Sequence, residues 1–98
     1  MLDSSVLEYI REHSTEASLY EQLAEECIEL AFACISKARL LRGESPSTKN
    51  HEDLDNSINE EVTDVNLCLD VLCKFPNYDI YDAKLRRWES RLKEKEID

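Results

Sequence analysis

Apolar residues recur at three- and four-residue steps along two long stretches of the chain, which is the spacing of amphipathic helices. In the first stretch, from Ser18 to Arg42, one apolar stripe comprises Leu19, Leu23, Cys27, Leu30, Cys34, Ala38 and Leu41. In the second, from Leu54 to about Phe75, the stripe comprises Leu54, Ile58, Glu61 with Val62, Val65, Leu69 and Leu72. No stretch alternates between apolar and polar residues as a half-buried strand does. The pattern therefore predicts an all-α fold built on two long antiparallel helices.

Capping and breaking residues set the expected ends of these two helices. Ser18 and Glu21 fit a capping box at the start of the first helix, and Gly43 is a natural stop. Residues 43–53 have the composition of a loop, and Pro76 ends the second helix. A loop of this length allows the two helices to lie side by side.

Two further helices are expected outside this pair. The first is short and covers residues 4–13. Its inward-facing residues are predicted to be Val6, Tyr9 and Ile10. The last runs from Ile80 to about Glu96, after a cap supplied by Asn77 or Asp79, and is polar and basic along much of its length.

Length and charge limit the classes of protein to consider. The 98 residues suit a single domain, 1–98. The net charge of −10 argues against a nucleic acid or an anionic membrane as the main partner and favours cations. There is no apolar run of about 18 residues for a membrane span, and the N-terminus lacks the basic and apolar blocks of a signal peptide. These features predict a cytoplasmic protein.

The four cysteines are expected to be small buried thiols. They are Cys27, Cys34, Cys68 and Cys73. No two form a C-x-x-C pair, and no histidine lies near them at metal-ligand spacing. The spacing argues against both a zinc site and a disulfide.

Acidic residues interrupt the apolar faces of both long helices. Glu26 and Glu29 lie three residues apart on the first, as do Glu61 and Asp64 on the second. Residues at this spacing share one face of a helix, and like charges there destabilise it by about 0.2–0.5 kcal/mol per pair. Burying them costs far more unless a positive charge compensates. If the helices pack antiparallel, the four carboxylates can converge.

Two interpretations of these acids remain open on spacing alone. A single acidic pair is more often a solvated face than a ligand set, whereas two pairs on separate apolar helices favour a cation site. Oxygen ligands without histidine or cysteine indicate a hard cation, Mg²⁺ or Mn²⁺. Such a cation would neutralise charge on a phosphate chain and activate water.

The order of the acidic motifs is specific: Glu25-Glu26-x-x-Glu29 is followed by Glu61-x-x-Asp64. This order resembles the signature of the MazG-like, all-α nucleoside triphosphate pyrophosphohydrolases, which is E-E-x-x-E on one helix and E-x-x-D on the next. The similarity covers residues 18–73. It includes the segments Gln22 to Ala31, Ser36-Lys37-Ala38-Arg39 and Glu60 to Val65.

The resemblance implies Mg²⁺-dependent cleavage of a (deoxy)nucleoside triphosphate between its α- and β-phosphates, which gives a monophosphate and pyrophosphate. The metal ligands and catalytic residues that it implies are Glu26, Glu29, Glu61 and Asp64. Glu25 matches the first acid of the motif and would orient a ligand or water. The resemblance also implies a homodimer or homotetramer in which helices of different chains complete each site. A house-cleaning role on modified or surplus nucleotides would follow.

Binding of the substrate phosphates would require basic residues. The segment from Lys84 to Leu92 resembles the basic closing helix of short, phage and Firmicute-type members of the family. The candidate phosphate-binding residues are Lys37, Lys84, Arg87 and Arg91. Surface pairing of the last three with Glu89 and Glu94 is an equally good explanation of their presence.

Residues that contact the base are less well defined by the sequence. His13 and Tyr20 precede the first acidic motif, where the family places base-contacting residues, and Gln22 could lie behind the metal ligands. Trp88 could stack on a base, although packing is the commoner role of such a residue. The base preference is not predicted.

Two classes of function remain. The first is the nucleotide pyrophosphohydrolase, and the second is a non-catalytic helical interaction or regulatory module with a vestigial acidic site. A ferritin-like di-iron bundle is excluded because the E-x-x-H motifs of that class are missing.

Overall fold

Four helices make up the computed structural model, which describes residues 3–44 and 50–97. They are α1 (Ser4–Glu12), α2 (Glu16–Leu41), α3 (His51–Val71) and α4 (Tyr78–Ile97). No strand occurs in the described residues, so the all-α prediction is confirmed. The predicted loop 43–53 falls partly on 45–49, outside the described residues.

Helices α2 and α3 pack along each other as an antiparallel hairpin. Near the end of α2, Lys37 Nζ lies 2.9 Å from Asp55 Oδ1 in the early part of α3. Midway along both helices, Glu29 lies beside Glu61. The face of α2 turned towards α3 runs through Leu19, Leu23, Glu26, Leu30, Ala33, Lys37 and Leu40. Acidic residues thus occupy the seam between the two helices, where apolar residues are the rule.

Part of the apolar stripe predicted for α2 is wrong. After Leu23 the inward face passes through Glu26 and Ala33, whereas Cys27 and Cys34 are exposed. Leu41, at the end of the helix, is exposed as well. Because α2 is apolar around most of its circumference, several stripes fit its periodicity, and packing against α3 selects one of them.

The prediction of four buried thiols is wrong. Cys27, Cys34 and Cys73 are exposed, and Cys68 is half-buried. Cys68 is the one that lies on the seam face of α3, four residues after Asp64.

Helix α1 packs against the C-terminal end of α3. Arg11 donates from Nε to the carbonyl oxygen of Val71 at 2.5 Å and from Nη2 to that of Asp70 at 3.4 Å. These carbonyls belong to the last turn of α3, where helix carbonyls lack the usual i+4 amide partner, so the guanidinium adds donors at this helix end. Leu7 is buried and lies on the same face of α1 as Arg11, so this is the face that packs against α3. The prediction that Val6 and Tyr9 face inward is wrong, because both are exposed, while Ile10 is half-buried.

The helix starts are set by side-chain caps. Thr15 Oγ1 accepts the Ser18 N–H at 3.1 Å, so α2 begins at Glu16 and the capping box predicted from Ser18 is wrong. Asn50 Oδ1 accepts the Asp53 N–H at 2.9 Å, which starts α3 before the predicted Leu54. The prediction of Asn77 as a cap for α4 is confirmed: its Oδ1 accepts the N–H of Asp79 at 3.0 Å.

Both hairpin helices end in a left-handed residue. The predicted stop at Gly43 is confirmed, with φ of 71° and an N–H donated to Leu40 O at 3.0 Å. In α3 the same position is held by Cys73, with φ of 57° and an N–H donated to Asp70 O at 3.1 Å. This turn ends α3 at Val71, short of the predicted Phe75.

Cys73 therefore offers a test of backbone strain. A left-handed conformation costs an L-residue about 1–2 kcal/mol, and glycine avoids this cost but loses about 0.5–1 kcal/mol of backbone entropy. Cys73→Gly is expected to raise the free energy of unfolding in urea by about 0.5–1 kcal/mol. Cys73→Ala keeps the Cβ and should give no gain; an equal gain from alanine would mean that the thiol, not the backbone, is unfavourable.

The chain buries little of its apolar surface by itself. The buried hydrophobic residues among those described are Leu7, Ala33, Leu54 and Val71, and no large side chain is fully buried. The radius of gyration is 17.7 Å, against about 13 Å for a compact domain of roughly 100 residues. No other helix packs along α4 in the described part of the chain. The fold thus leaves apolar faces of α2 and α4 uncovered.

None of the helices described is both long enough and apolar enough to cross a membrane.

Candidate metal site

Three carboxylates converge in the middle of the α2–α3 hairpin. Glu26 and Glu29 come from α2, and Glu61 comes from α3. One carboxylate oxygen of each lies within 4.8 Å of the others. The geometry brings together three of the four acids predicted from sequence as metal ligands.

Two of these carboxylates have an oxygen that lacks a donor. Glu26 and Glu61 are half-buried in the seam, and the Oε2 atom of each is buried without a hydrogen-bond partner among the described residues. The other oxygen of Glu26 accepts a bond from Gln22 Nε2 at 2.8 Å. A buried carboxylate oxygen without a donor is unfavourable, so the site has the chemistry to take up a cation.

The crowding of these acids shows in the pKa of Glu61. Burial raises this pKa from 4.5 to about 7, with further increases from a hydrogen bond to Glu29 and from the charges of Glu29, Asp64 and Glu26. Protonated Glu61 can donate to its neighbour, whereas ionised Glu61 adds a charge to an acidic pocket. A divalent cation would take the place of that proton, because carboxylates ligate metals in their ionised form.

Asp64 and Glu25 lie at different positions relative to this cluster. Asp64 is half-buried one turn beyond Glu61; it is outside the 4.8 Å group, yet its charge raises the pKa of Glu61. Glu25 is exposed and is also outside the group. Asp64 is therefore close enough to Glu61 for their charges to interact, while Glu25 lies at the surface outside the group.

The donor set fits Mg²⁺ or Mn²⁺. Both cations take oxygen ligands, and Mg²⁺ usually keeps several waters and binds substrate phosphates in addition to one or two carboxylates. Glu29 is the exposed member of the group, so the cluster meets solvent on its side.

Cys68 is a neighbour of the site that the sequence did not single out. Burial raises the pKa of its thiol, and the charges of Glu26, Asp64 and Cys27 raise it further. The thiol is therefore a neutral group at neutral pH rather than a metal-binding thiolate. Its spacing of four residues from Asp64, on one face of α3, is the signal that could have placed it here.

Lys37 lies at the far end of the hairpin from the acids. Its Nζ is 2.8 Å from His51 Nδ1 and 2.9 Å from Asp55 Oδ1. It follows Glu29 by eight residues, about 12 Å at 1.5 Å per residue. The structure does not bring this predicted phosphate ligand to the cluster.

The basic residues of α4 form a group of their own. Lys84, Arg87 and Arg91 line a concavity of about 280 Å³ together with Trp88. Because α4 packs along neither α2 nor α3, none of them is brought to the acidic cluster by packing within the chain.

The predicted base-contacting residues lie near the start of α2. His13 stacks on the Tyr9 ring, with centroids 3.9 Å apart, and its Nδ1 is 2.8 Å from Tyr9 O. Tyr20 is exposed and lines a cavity of about 370 Å³ between α1, the start of α2 and the end of α3. Arg11 and Lys74 line the same cavity. Tyr20 precedes Glu26 by six residues, about 9 Å along the helix, so this cavity lies towards the start of α2 from the acids.

Comparison with known proteins gives no match to a family model, a curated protein or a solved structure. The likeness to MazG-like enzymes thus depends on the motif residues themselves.

Proposed function

We propose that the protein is a Mg²⁺- or Mn²⁺-dependent nucleoside triphosphate pyrophosphohydrolase that produces a monophosphate and pyrophosphate. The observation that supports it best is the convergence of Glu26, Glu29 and Glu61 within 4.8 Å on two packed helices. The order of the motifs adds to this support. Because nucleoside triphosphates form a cytoplasmic pool, the proposed reaction belongs in the cytoplasm, where it would remove surplus or modified nucleotides.

Each acid has a distinct role in this proposal. Glu26, Glu29 and Glu61 hold the cation, and Asp64 completes the set. Gln22 keeps Glu26 in place through its 2.8 Å hydrogen bond. Once bound, the cation neutralises charge on the triphosphate and lowers the pKa of water. Glu61 gives up its proton when the cation binds, which the carboxyl can do near neutral pH because its pKa is about 7.

The proposal includes a homo-oligomer, dimer or tetramer. The face of α2 opposite α3 exposes Ile28, Phe32 and Ile35, and Phe32 is 75% exposed. Such a face is normally covered by another chain. The cations of α4 can reach the acids only from a neighbouring copy or after α4 moves, since α4 does not pack along its own hairpin.

A nucleotide panel tests the proposed reaction. The protein is incubated with each common and modified nucleoside triphosphate, with Mg²⁺, with Mn²⁺ or with a chelator, and pyrophosphate and monophosphate are both measured. We expect equal amounts of the two products from at least one nucleotide, and none with the chelator. Release of inorganic phosphate instead of pyrophosphate would mean that the terminal phosphate is cleaved and that the proposed reaction is wrong. No turnover on any nucleotide with either metal would favour the non-catalytic interaction module.

A further inference from the structure

The uncovered face of α4 has the heptad pattern of a coiled coil. Tyr78, Leu85 and Leu92 occupy a positions, and Tyr81, Trp88 and Lys95 occupy d positions. The apolar members of this row are exposed, Leu85 to 52% and Trp88 to 66%. A row of a and d residues along 20 helical residues is the surface that a partner helix covers in a coiled coil. An isolated helix of this length is marginal without such packing.

Charges on the two edges of this row are sorted by sign. The g positions carry Lys84 and Arg91, both basic. The e positions carry Asp82, Glu89 and Glu96, all acidic. In a parallel coiled coil, g residues face e residues of the other helix, whereas in an antiparallel pair g faces g and e faces e. The sorting therefore favours a parallel pair, in which Lys84 meets Glu89 and Arg91 meets Glu96 of the second copy.

We propose that α4 forms a parallel two-stranded coiled coil with α4 of a second copy of this chain. The partner that covers the exposed row is thus an identical helix, because the basic g edge of one α4 complements the acidic e edge of the other. This inference does not depend on the metal or on the proposed reaction.

The surface of α4 supports this choice of partner. A groove of about 590 Å³ runs along the row and is lined by both apolar and e-position residues, among them Leu85, Trp88 and Glu89. None of the ion pairs among the described residues involves Lys84 or Arg91. The acidic edge does pair within the helix, through Asp82 with Arg86 and Glu89 with Lys93. Those partners lie at b positions, outside the seam, and the carboxylates that they pair with stay largely exposed.

The coiled coil also separates the roles of the basic residues of α4. Lys84 and Arg91 flank the seam and face the second helix. Arg87 lies at a c position, on the outside of the pair, and stays available for another ligand. Under the proposed function, Arg87 is therefore the residue of α4 best placed to meet a phosphate.

Charge exchange tests the pairing. The full chain is expected to scatter light as a dimer of twice 11.4 kDa, with a blue-shifted emission from Trp88, the single tryptophan. Lys84→Glu with Arg91→Glu makes both edges acidic and is expected to weaken association roughly 100-fold. A second variant, Asp82→Lys with Glu89→Lys and Glu96→Lys, makes both edges basic and should likewise lose the pairing of α4 and the blue-shifted emission. An equimolar mixture of the two is expected to restore the dimer and the blue-shifted emission.

The matched control changes the same number of cations on the same helix. Arg86→Glu with Lys93→Glu alters b positions and should leave the dimer intact. A monomeric wild-type chain would overturn the proposal, as would a blue-shifted Trp88 emission that survives the Lys84 and Arg91 changes or is lost equally with the control. Failure of the mixture to recover the dimer would overturn the pairing of the two edges. Helix content, measured for every variant by circular dichroism, separates loss of pairing from loss of fold.

Discussion

Glu61→Gln is expected to lower metal-dependent pyrophosphate release by at least about 100-fold without unfolding the hairpin. A bound divalent cation contributes several kcal/mol of charge stabilisation to such a reaction, and each 1.4 kcal/mol is a factor of ten in rate. Glutamine keeps the shape of the side chain but lacks the negative charge that would hold the cation. It also removes the like-charge contacts with Glu26 and Glu29, so the fold should not suffer. Initial rates at saturating Mg²⁺ or Mn²⁺ measure the effect.

The adjacent acid provides the control for this change. Glu60 is exposed and lies outside the group of converging carboxylates, so Glu60→Gln should keep nearly full activity. Glu29→Gln is expected to behave like Glu61→Gln. Asp64→Asn tests whether the fourth acid is a ligand, and the motif predicts that it too loses activity. Full activity of Glu61→Gln or Glu29→Gln would mean that the cluster does not bind the catalytic metal.

The helices were predictable from sequence because their signals are local. Periodic apolar residues and the stop at Gly43 gave the class and the order of the elements, and the structure confirms both. Their ends were less predictable. Thr15 and Ser18 are both good caps, and their competition is decided by geometry. Cys73 gave no sequence signal that it would adopt a glycine-like conformation and end α3 before Pro76.

The rotation of α2 about its axis was the main structural feature that periodicity did not determine. The sequence places Cys27 and Glu26 side by side, and either could head the inward face of a helix that is apolar nearly all round. Packing against α3 turned Glu26 inward and left Cys27 at the surface. The error matters for function, because the correct rotation is the one that puts an acid in the seam opposite Glu61.

The acidic cluster was easier to predict from sequence than the positions of the basic residues expected to bind phosphate. The spacing predicts that Glu26 and Glu29 share one face of α2, and packing against α3 turns that face towards Glu61. Lys37 and the basic residues of α4 depend on tertiary and quaternary contacts, which spacing does not specify. Lys37 instead pairs with Asp55 at the other end of the hairpin. The heptad spacing of α4 gives Lys84 and Arg91 a structural role as an alternative to phosphate binding.

Without added metal, the stability of the protein is expected to fall as the pH rises from about 5 to 8. The pKa of Glu61 is about 7 in the folded chain against an ordinary value of 4.5, so the folded state binds more protons between these values. The stabilising contribution of this proton is complete below about 4.5 and is lost as the pH rises through 7. Asp3 acts in the opposite sense, because its pKa is lowered from 3.8, but its contribution changes only below the range measured. Urea unfolding at several pH values gives the slope, which Glu61→Gln should flatten and Glu60→Gln should preserve.

Adding Mn²⁺ or Mg²⁺ is expected to reverse this pH dependence, because the cation binds the ionised carboxylates and competes with the proton for Glu61. A free metal concentration 100-fold above Kd stabilises the folded state by about 2.7 kcal/mol, which raises the Tm of a domain of this size by about 10 °C or more. The rise should be larger at pH 8 than at pH 5.5 and absent in Glu61→Gln. If the Tm of the wild-type chain did not respond to either metal at pH 8, the three carboxylates would not be a binding site for the cation. The same outcome would leave the association of α4 untouched, since that seam contains neither Glu61 nor its neighbours.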